Sequence, residues 1–405
     1  MAKSISIFAN YAVKAALVLA LGAPAISGVL HSAAYGGENR QLANWPGLPH
    51  SWKDFLAVPG QLDAWVNDHF GMRNNLVNLN NKIRFQLYDE FPTIQTARGR
   101  NGRIFLASHA TTAQPYSAFT AVCAGKSEAS PGTAAYFNQM FADFRARGMQ
   151  PHVLIVPSAP AVQSADVPEW LAQRCSSTDT PVRRFLRDPE LNPDVRSAIY
   201  YPLEEIRKIA GDGESVFPKT WFHWNGAGLG EVATLSLQHF WKPGPGTPVK
   251  SHEEWLISDI SHLFPGISMS SLITLPNMAE AGIDACHGPD CFPEFESFKE
   301  LMKDTSHLHN PAAPPRRLLL ISDSYGRLIS DWYARYYRDV DHIATNNIPQ
   351  LKPAQLQRVK DVVFRDVENT DVLILYHDGG AIYNALRFGV EPLHQSSSKL
   401  AAAAH

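Results

Sequence analysis

The sequence predicts an α/β fold with a mostly parallel sheet, and three patterns indicate this class. Residues 318–321 are four consecutive aliphatic residues, which is typical of a strand buried on both faces. Apolar residues at helical spacing from 137 to 144 precede a second aliphatic strand at 152–156. A third aliphatic strand lies near the end of the chain, at 371–376. Helices that alternate with buried strands are typical of α/β sheets.

The other elements follow from the same periodicities. Two amphipathic helices are predicted near 62–70 and 76–87, and a turn at 99–102 leads into a short strand at 103–106. Further along the chain, the apolar spacing predicts helices at 203–210, 227–240, after Ser324 and at 354–363, and extended segments at 215–217 and 340–343. Residues 243–315 are richer in Pro and Ser and are interpreted as an insertion or a cap. The domain is expected to span 37–390.

The composition indicates a globular protein without a nucleic-acid partner. The chain has 405 residues, of which 45% are hydrophobic and 19% charged, which is long enough for one large domain or two. The net charge is −3, and no stretch has the Lys and Arg density needed to follow a phosphate backbone.

The N-terminus has the layout of a secretory signal. Lys3 precedes a nearly uncharged segment from 5 to 29, and small residues follow it. An uncleaved anchor is the alternative, although Lys14 and Pro24 interrupt the apolar run. Residues 1–36 are therefore predicted to direct export.

Four cysteines suit an exported protein with two disulfides. Cys286 and Cys291 are close enough for a local pair, although three connectivities remain open. A metal site around His287 is the weaker interpretation because no second ligand pair is evident, and no cofactor is expected.

The low-complexity tail, 391–405, is interpreted as an artificial extension or a frayed end.

Ser324 is a candidate nucleophile. It follows the strand that ends near Ile321 and precedes a predicted helix, where backbone N–H groups favour developing negative charge. The simpler interpretation is a helix cap. His223, which also precedes a predicted helix, is a candidate general base, and the simpler interpretation is a histidine packed between Trp221 and Trp224.

Six short motifs occur in an order that resembles a known family. They are Glu38-Asn39-Arg40, Asp68-His69-Phe70-Gly71-Met72-Arg73, the Gly99 to Leu106 segment, Val156-Pro157-Ser158, His223-Trp224-Asn225-Gly226-Ala227 and Ser322-Asp323-Ser324-Tyr325. Together they resemble the SGNH-hydrolase-like domain of the alginate O-acetylation proteins AlgJ and AlgX. The resemblance covers residues 38–390.

The resemblance implies a flavodoxin-like sandwich in which the catalytic order is permuted, so that the histidine precedes the serine. Ser324 would be the nucleophile and His223 the base. The family accepts an acetyl group from a membrane-bound O-acyltransferase and transfers it to an exopolysaccharide hydroxyl in the periplasm. These two partners are therefore expected here, as is a periplasmic location, either free or tethered to the inner membrane.

One departure from the family motif affects this prediction. The family aspartate lies two residues before the histidine, where this chain has Trp221. An indole offers only a donor, so it cannot orient the imidazole as a carboxylate does. Asp378, after the last strand, is the best replacement because loops at the carboxyl ends of strands converge. Alternatively, His377 is the base with Asp378 as its neighbour.

Two functions therefore remain open. The first is an exported O-acetyltransferase or acetylesterase, with substrate contacts expected from Trp221, Trp224, Asn225 and Tyr325. The second is a relative impaired by Trp221 that binds glycan or acts as an assembly scaffold. For the tryptophans, stacking on sugar rings and ordinary core packing are both open.

Overall fold

The structure is a computed structural model that describes residues 11–15, 17–19, 22–23, 43–69, 72–211 and 216–395. Most of the predicted signal segment, the motif at 38–40 and the tail after 395 lie outside these residues. Within the described part of the chain, no helix is long and apolar enough to cross a membrane.

The chain forms two compact units. The first contains the residues up to Pro92 together with Phe264–Ile267. Its helices are α1 (Trp52–His69) and α2 (Arg73–Tyr88), which agree with the predicted amphipathic pair. Inside this unit, the Asn81 side chain donates a hydrogen bond of 2.9 Å to the Pro265 carbonyl.

The second unit contains the sheet. Its strands are β1 (Thr96–Arg98), β2 (Ile104–Leu106), β3 (Pro151–Val156), β4 (Ile199–Tyr200), β5 (Ser251–Ile257), β6 (Ser270–Pro276), β7 (Asp284–His287), β8 (Ser306–His309), β9 (Arg317–Ser322), β10 (Asp339–Ala344) and β11 (Thr370–His377). Its helices are α3 (Ser117–Thr120), α4 (Thr133–Ala146), α5 (Ala159–Val162), α6 (Glu169–Ser176), α7 (Pro181–Phe185), α8 (Pro193–Ser197), α9 (Leu203–Ala210), α10 (Gly228–Phe240), α11 (Gly326–Tyr333), α12 (Pro353–Val363), α13 (Asp378–Ile382) and α14 (Ala385–His394).

Seven strands form the main sheet in the order β4-β3-β11-β9-β10-β8-β7. The pairs from β4 to β10 are parallel, and only β8 and β7 join antiparallel. Every residue of β9 is buried, as its aliphatic sequence predicts. The α/β class and the mostly parallel sheet are thus confirmed.

Parallel strands bring three chain segments to one edge of this sheet. Ser324 follows β9, His377 and Asp378 end β11 and begin the next helix, and Ser158 follows β3. The carboxyl ends of neighbouring parallel strands meet at the same edge, which is where such folds place their sites.

The segment 243–315 contributes to the sheet and adds a hairpin. β7 and β8 extend the main sheet at one edge, while β5 and β6 pair only with each other. Asp259 follows β5 by two residues.

Two local predictions are settled by the structure. Val216 and Phe217 are buried but not in a strand, and β4 takes the sheet edge, so the predicted extended segment at 215–217 is wrong for its described residues. The tail boundary is also wrong, because α14 continues to His394.

Two disulfides form. Cys286 pairs with Cys291, as the local interpretation predicts, and Cys123 pairs with Cys175. Cys286 and Cys291 are therefore not available as thiolate metal ligands.

Candidate active site

Ser324 lies on a tight turn between β9 and α11. The turn is fixed by the preceding Asp323, whose Oδ1 accepts a hydrogen bond from the Tyr325 N–H at 2.9 Å. Gly326 packs so closely that a Cβ atom there would lie 1.9 Å from Ser322 Oγ. Only glycine leaves room for this approach. Asp323 and Gly326 therefore both shape this turn.

His223 lies on a loop before α10, and the residues after it anchor that loop. The Trp224 indole N–H donates to the Tyr325 carbonyl at 2.7 Å, which ties the histidine loop directly to the serine turn. The Asn225 N–H donates to the Val216 carbonyl, and Gly226 adopts a φ of 100° that disfavours other residues. The loop is thus held against the serine turn by the residues that follow His223.

Ser324 and His223 meet despite a separation of 101 residues. Ser324 Oγ lies 2.7 Å from His223 Nε2. On the other side of the ring, His223 Nδ1 lies 2.6 Å from Asp259 Oδ2. With Nδ1 protonated toward Asp259, Nε2 is free to accept the serine proton. This is the geometry of a nucleophile, a base and an orienting carboxylate.

Asp259 is the carboxylate that the sequence analysis missed. Its Oδ1 accepts the Phe222 N–H at 2.9 Å and its Oδ2 accepts the His223 N–H at 2.8 Å. These backbone bonds fix the carboxylate against the imidazole. The carboxylate that faces the imidazole therefore comes from the segment after β5 and not from position 221.

Asp378 does not occupy the position predicted for it. Its carboxylate is fully buried and accepts hydrogen bonds from the Ser158 N–H at 3.1 Å, from the Ser158 hydroxyl and from the Gly379 N–H at 2.9 Å. Burial raises its pKa above the usual range, although these donors oppose the shift. The prediction that Asp378 faces His223 is corrected, because its carboxylate is directed to Ser158 and Gly379.

The alternative base, His377, pairs with another aspartate. Its Nδ1 lies 2.6 Å from Asp323 Oδ2, which also accepts the His377 N–H. Burial alone would lower the pKa of His377, but the charge and hydrogen bond of Asp323 raise it overall. The His377 ring also stacks on Tyr325, with ring centroids 5.2 Å apart.

Three of the four residues predicted to contact substrate are enclosed. Trp224 and Tyr325 have no exposed surface and Asn225 is 3% exposed, so none presents a face on which a sugar could stack. Their predicted substrate contacts are corrected to packing and loop anchoring. Trp221 is 8% exposed, and its side chain lines a small cavity beside the site.

The reactive groups themselves can be reached from solvent. The His223 side chain is 26% exposed and the Asp259 side chain 19%, and Ser324 is half-buried. A substrate carbonyl can therefore approach the hydroxyl, while Asp259 remains sheltered enough for its charge to act on the imidazole.

No known family model matches the chain, and no curated protein sequence does. Solved structures similar to it include a DHHW family protein from Eubacterium siraeum, with 13% identity, 75% of this chain and 100% of that one covered, and a TM-score of 0.46. The O-acetyltransferase domain of Pseudomonas putida AlgJ has 13% identity, 75% and 94% coverage, and a TM-score of 0.42. Pseudomonas aeruginosa AlgX has 10% identity, 74% and 65% coverage, and a TM-score of 0.42. The predicted resemblance is confirmed in that AlgJ and AlgX are among the similar structures. Because the TM-scores are below 0.5, the functional argument rests on the site geometry.

Proposed function

We propose that the protein is a serine-dependent O-acyltransferase, or an esterase when water is the acceptor, acting on an acetyl ester. The observation that carries this proposal is the hydrogen-bonded chain from Ser324 through His223 to Asp259, with distances of 2.7 and 2.6 Å. A serine alone at this position could be a helix cap, but a cap does not need an imidazole on its hydroxyl or a carboxylate behind that imidazole.

The first half-reaction forms an acyl-serine. His223 Nε2 takes the Ser324 proton as Oγ bonds to the ester carbonyl carbon, giving a tetrahedral oxyanion. The Ser324 N–H, at the strand end before α11, and a second donor would hold this oxyanion. The carbon–oxygen bond to the leaving alcohol then breaks, and His223 returns the proton to that alcohol.

The second half-reaction repeats these steps with a different hydroxyl. His223 takes a proton from the acceptor hydroxyl, whose oxygen attacks the acyl carbonyl, and then returns the proton to Ser324 as the acyl-serine bond breaks. Asp259 stabilises the imidazolium that forms in both halves. A sugar hydroxyl as acceptor gives transfer, and water gives hydrolysis.

The identities of the acyl acceptor and the acetyl donor are inferred from the resemblance of the sequence to the family. We infer a periplasmic exopolysaccharide as acceptor and a membrane-bound O-acyltransferase as acetyl donor. The apolar N-terminal segment, the even number of cysteines and the two disulfides support an exported protein.

The alternative of a binding protein without activity loses its main support. That alternative depended on the missing aspartate at Trp221 and on aromatic side chains open to sugars. Asp259 supplies the carboxylate, and Trp224 is enclosed.

Two assays test the proposal. The first is trapping of Ser324 with a fluorophosphonate, and the second is turnover of a chromogenic acetyl ester by untreated protein. We expect a covalent adduct on Ser324 by mass spectrometry, none on Ser324→Ala, and slow labelling of His223→Ala. Ser330→Ala is a matched control because Ser330 is buried on α11 and its hydroxyl bonds only within the fold. Equal labelling of wild type and Ser324→Ala would disprove the proposal.

A further inference from the structure

A second histidine–aspartate pair lies directly beside the nucleophile. His377 is the last residue of β11, and Asp323 lies between the end of β9 and Ser324. Asp323 Oδ2 accepts two hydrogen bonds from His377, one from the imidazole Nδ1 at 2.6 Å and one from the backbone N–H at 3.0 Å. A carboxylate is only an acceptor, so the shared proton is on Nδ1. The proposed reaction does not use His377.

The Asp323 carboxylate connects this histidine to the backbone on the far side of the nucleophile. Its second oxygen, Oδ1, accepts the Tyr325 N–H at 2.9 Å, and Ser324 lies between the two residues. β11 pairs in parallel with both β9 and β3, so His377 is carried on an interior strand of the sheet. That strand therefore orients the carboxylate through His377, and the carboxylate holds the turn that presents Ser324.

The two glycines after His377 leave room for its ring. A Cβ atom on Gly380 would lie 2.8 Å from His377 Cε1, 2.9 Å from Nδ1 and 3.2 Å from Asp323 Oδ2. One on Gly379 would lie 3.4 Å from His377 Nε2. Non-bonded carbon atoms pack at about 3.5–4.0 Å, so a larger residue at 380 would displace the ring. The Gly379-Gly380 sequence thus allows the histidine to sit against Asp323.

We propose that His377 is a positioning residue for the nucleophile and acts through Asp323. By orienting that carboxylate, it fixes the turn and with it the direction of Ser324 Oγ toward the base. Misplacement of a reacting group by about 1 Å can cost about 10²-fold in rate. The effect on rate rests on the proposed function, whereas the effect on the turn does not.

Two substitutions of His377 separate its hydrogen bond from its packing. His377→Phe keeps a ring that can stack on Tyr325, as the imidazole does at a centroid distance of 5.2 Å, but it has no N–H. His377→Asn lacks the ring but offers an amide N–H near the place of Nδ1. If the hydrogen bond positions the turn, the asparagine variant should be the more active one.

The first measurement is the rate of fluorophosphonate labelling of Ser324, together with steady-state turnover of a chromogenic acetyl ester. We expect His377→Phe to lower the labelling rate and kcat by about tenfold to a hundredfold, with KM changed by less than about twofold. His377→Asn should label at least about fivefold faster than His377→Phe, since it retains a donor for the carboxylate.

Gly380→Ala tests the same link without changing either member of the pair. Its methyl group would push the His377 ring away from Asp323, so we expect Ser324 to be labelled about tenfold more slowly. Gly244→Ala is the matched control, because Gly244 is exposed and a Cβ atom there meets no atom within 4 Å.

His309→Phe is the control for the histidine substitutions. His309 Nδ1 also bonds an aspartate, Asp339, at 2.8 Å. Asp339 begins β10 and pairs with the first residue of β9, so this pair lies at the opposite end of the strands from Ser324. His309→Phe should be labelled at the wild-type rate.

Hydrogen exchange of the Tyr325 amide tests the turn without catalysis. We expect this amide to exchange about tenfold to a hundredfold faster in His377→Phe than in wild type, measured relative to the amides of β9. A general loss of stability would speed exchange in β9 as well, whereas loss of the Asp323 contact affects the turn. Circular dichroism verifies that each variant is folded.

The inference is overturned if folded His377→Phe labels Ser324 as fast as wild type, if His377→Asn is no faster than His377→Phe, or if the relative exchange of the Tyr325 amide does not change. Absence of labelling in wild type would instead overturn the proposed function. The link between His377 and the turn is then decided by amide exchange alone.

Discussion

Asp259 Oδ2 lies 2.6 Å from His223 Nδ1, although the two residues are 36 positions apart and belong to different segments of the chain. The same carboxylate accepts the backbone N–H groups of Phe222 and His223. It therefore positions the histidine loop and the histidine ring together. A carboxylate that follows β5 thus faces the histidine ring, whereas the family motif places its aspartate two residues before the histidine.

Asp259→Asn is expected to lower kcat for an acetyl ester by about 10⁴, as loss of the orienting carboxylate does in serine proteases. An amide at this position keeps the shape but favours the wrong tautomer of His223, so that Nε2 cannot accept the serine proton. The measurement is steady-state hydrolysis of a chromogenic acetyl ester.

Glu253→Gln serves as the control for this substitution. Glu253 is an exposed carboxylate on β5, within the same hairpin, and its removal should leave kcat within twofold. An Asp259→Asn enzyme with kcat within tenfold of wild type would contradict the assignment. Asp378→Asn is an informative comparison. That variant should be less stable, because Asp378 is hydrogen-bonded to Ser158, but its Ser324–His223–Asp259 chain should be intact.

Ser324 and His223 could be predicted as candidate site residues because local sequence patterns mark their positions. Ser324 follows an aliphatic strand and His223 precedes a helix, and both patterns depend on hydrophobic periodicity. Asp259 has no such signal, because it lies in a Pro-rich and Ser-rich segment whose path depends on the β5–β6 hairpin. Its identification needed the tertiary structure.

The error at Asp378 has a different cause. The rule that carboxyl ends of parallel strands converge placed Asp378 correctly at the active edge of the sheet. The rule gives no side-chain direction, and the neighbouring Ser158 offers two donors within reach. The predicted substrate contacts of Trp224 and Tyr325 are wrong because aromatic residues near a site suit both sugar stacking and core packing, and only burial distinguishes these roles.

Arg317→Met is expected to lower the free energy of unfolding by about 1.5–3 kcal/mol, because it removes one charge-assisted hydrogen bond from the buried Asp341 carboxylate, which keeps its contacts with His307 and Arg365. Arg317 Nε donates to Asp341 Oδ2 at 2.7 Å, and both side chains are at most 5% exposed. Its other nitrogens donate to the Arg365 and Val362 carbonyls. Urea unfolding monitored by circular dichroism measures the loss.

The preceding residue provides a matched control for that substitution. Arg316 pairs with Asp371, but the arginine side chain is 53% exposed, and exposed ion pairs contribute about 0–1 kcal/mol. Arg316→Met should therefore change stability by no more than about 1 kcal/mol. Equal losses in the two variants would show that burial of the Arg317–Asp341 pair does not determine its contribution to stability.

The two disulfides are expected to differ in their contribution to stability. The Cys123–Cys175 bond spans 52 residues and the Cys286–Cys291 bond spans 5. The loop-entropy relation gives about 4 kcal/mol for the longer loop and about 2 kcal/mol for the shorter one. Replacing both cysteines of each pair by alanine and comparing urea midpoints checks this order. A larger loss from the shorter pair would contradict it.

His342 is expected to make the fold sensitive to acid. It is fully buried on β10, with Nε2 2.7 Å from Ser322 Oγ in the strand that leads to the nucleophile. Burial lowers the pKa of His342 to about 3, from an ordinary value of 6.5. Between these values the unfolded chain binds a proton that the folded chain does not. The stabilisation is therefore complete above pH 6.5 and is lost as the pH falls toward 3.

By linkage, this histidine alone should reduce the free energy of unfolding by about 2 kcal/mol between pH 7.5 and pH 5. His342→Gln keeps a hydrogen-bonding group but does not titrate, so its stability should fall by that much less over the same interval. His309→Gln is the control, since the His309 side chain is 41% exposed. Parallel acid dependence of wild type and His342→Gln would show that the folded protein accepts a proton at His342, in contradiction to its burial.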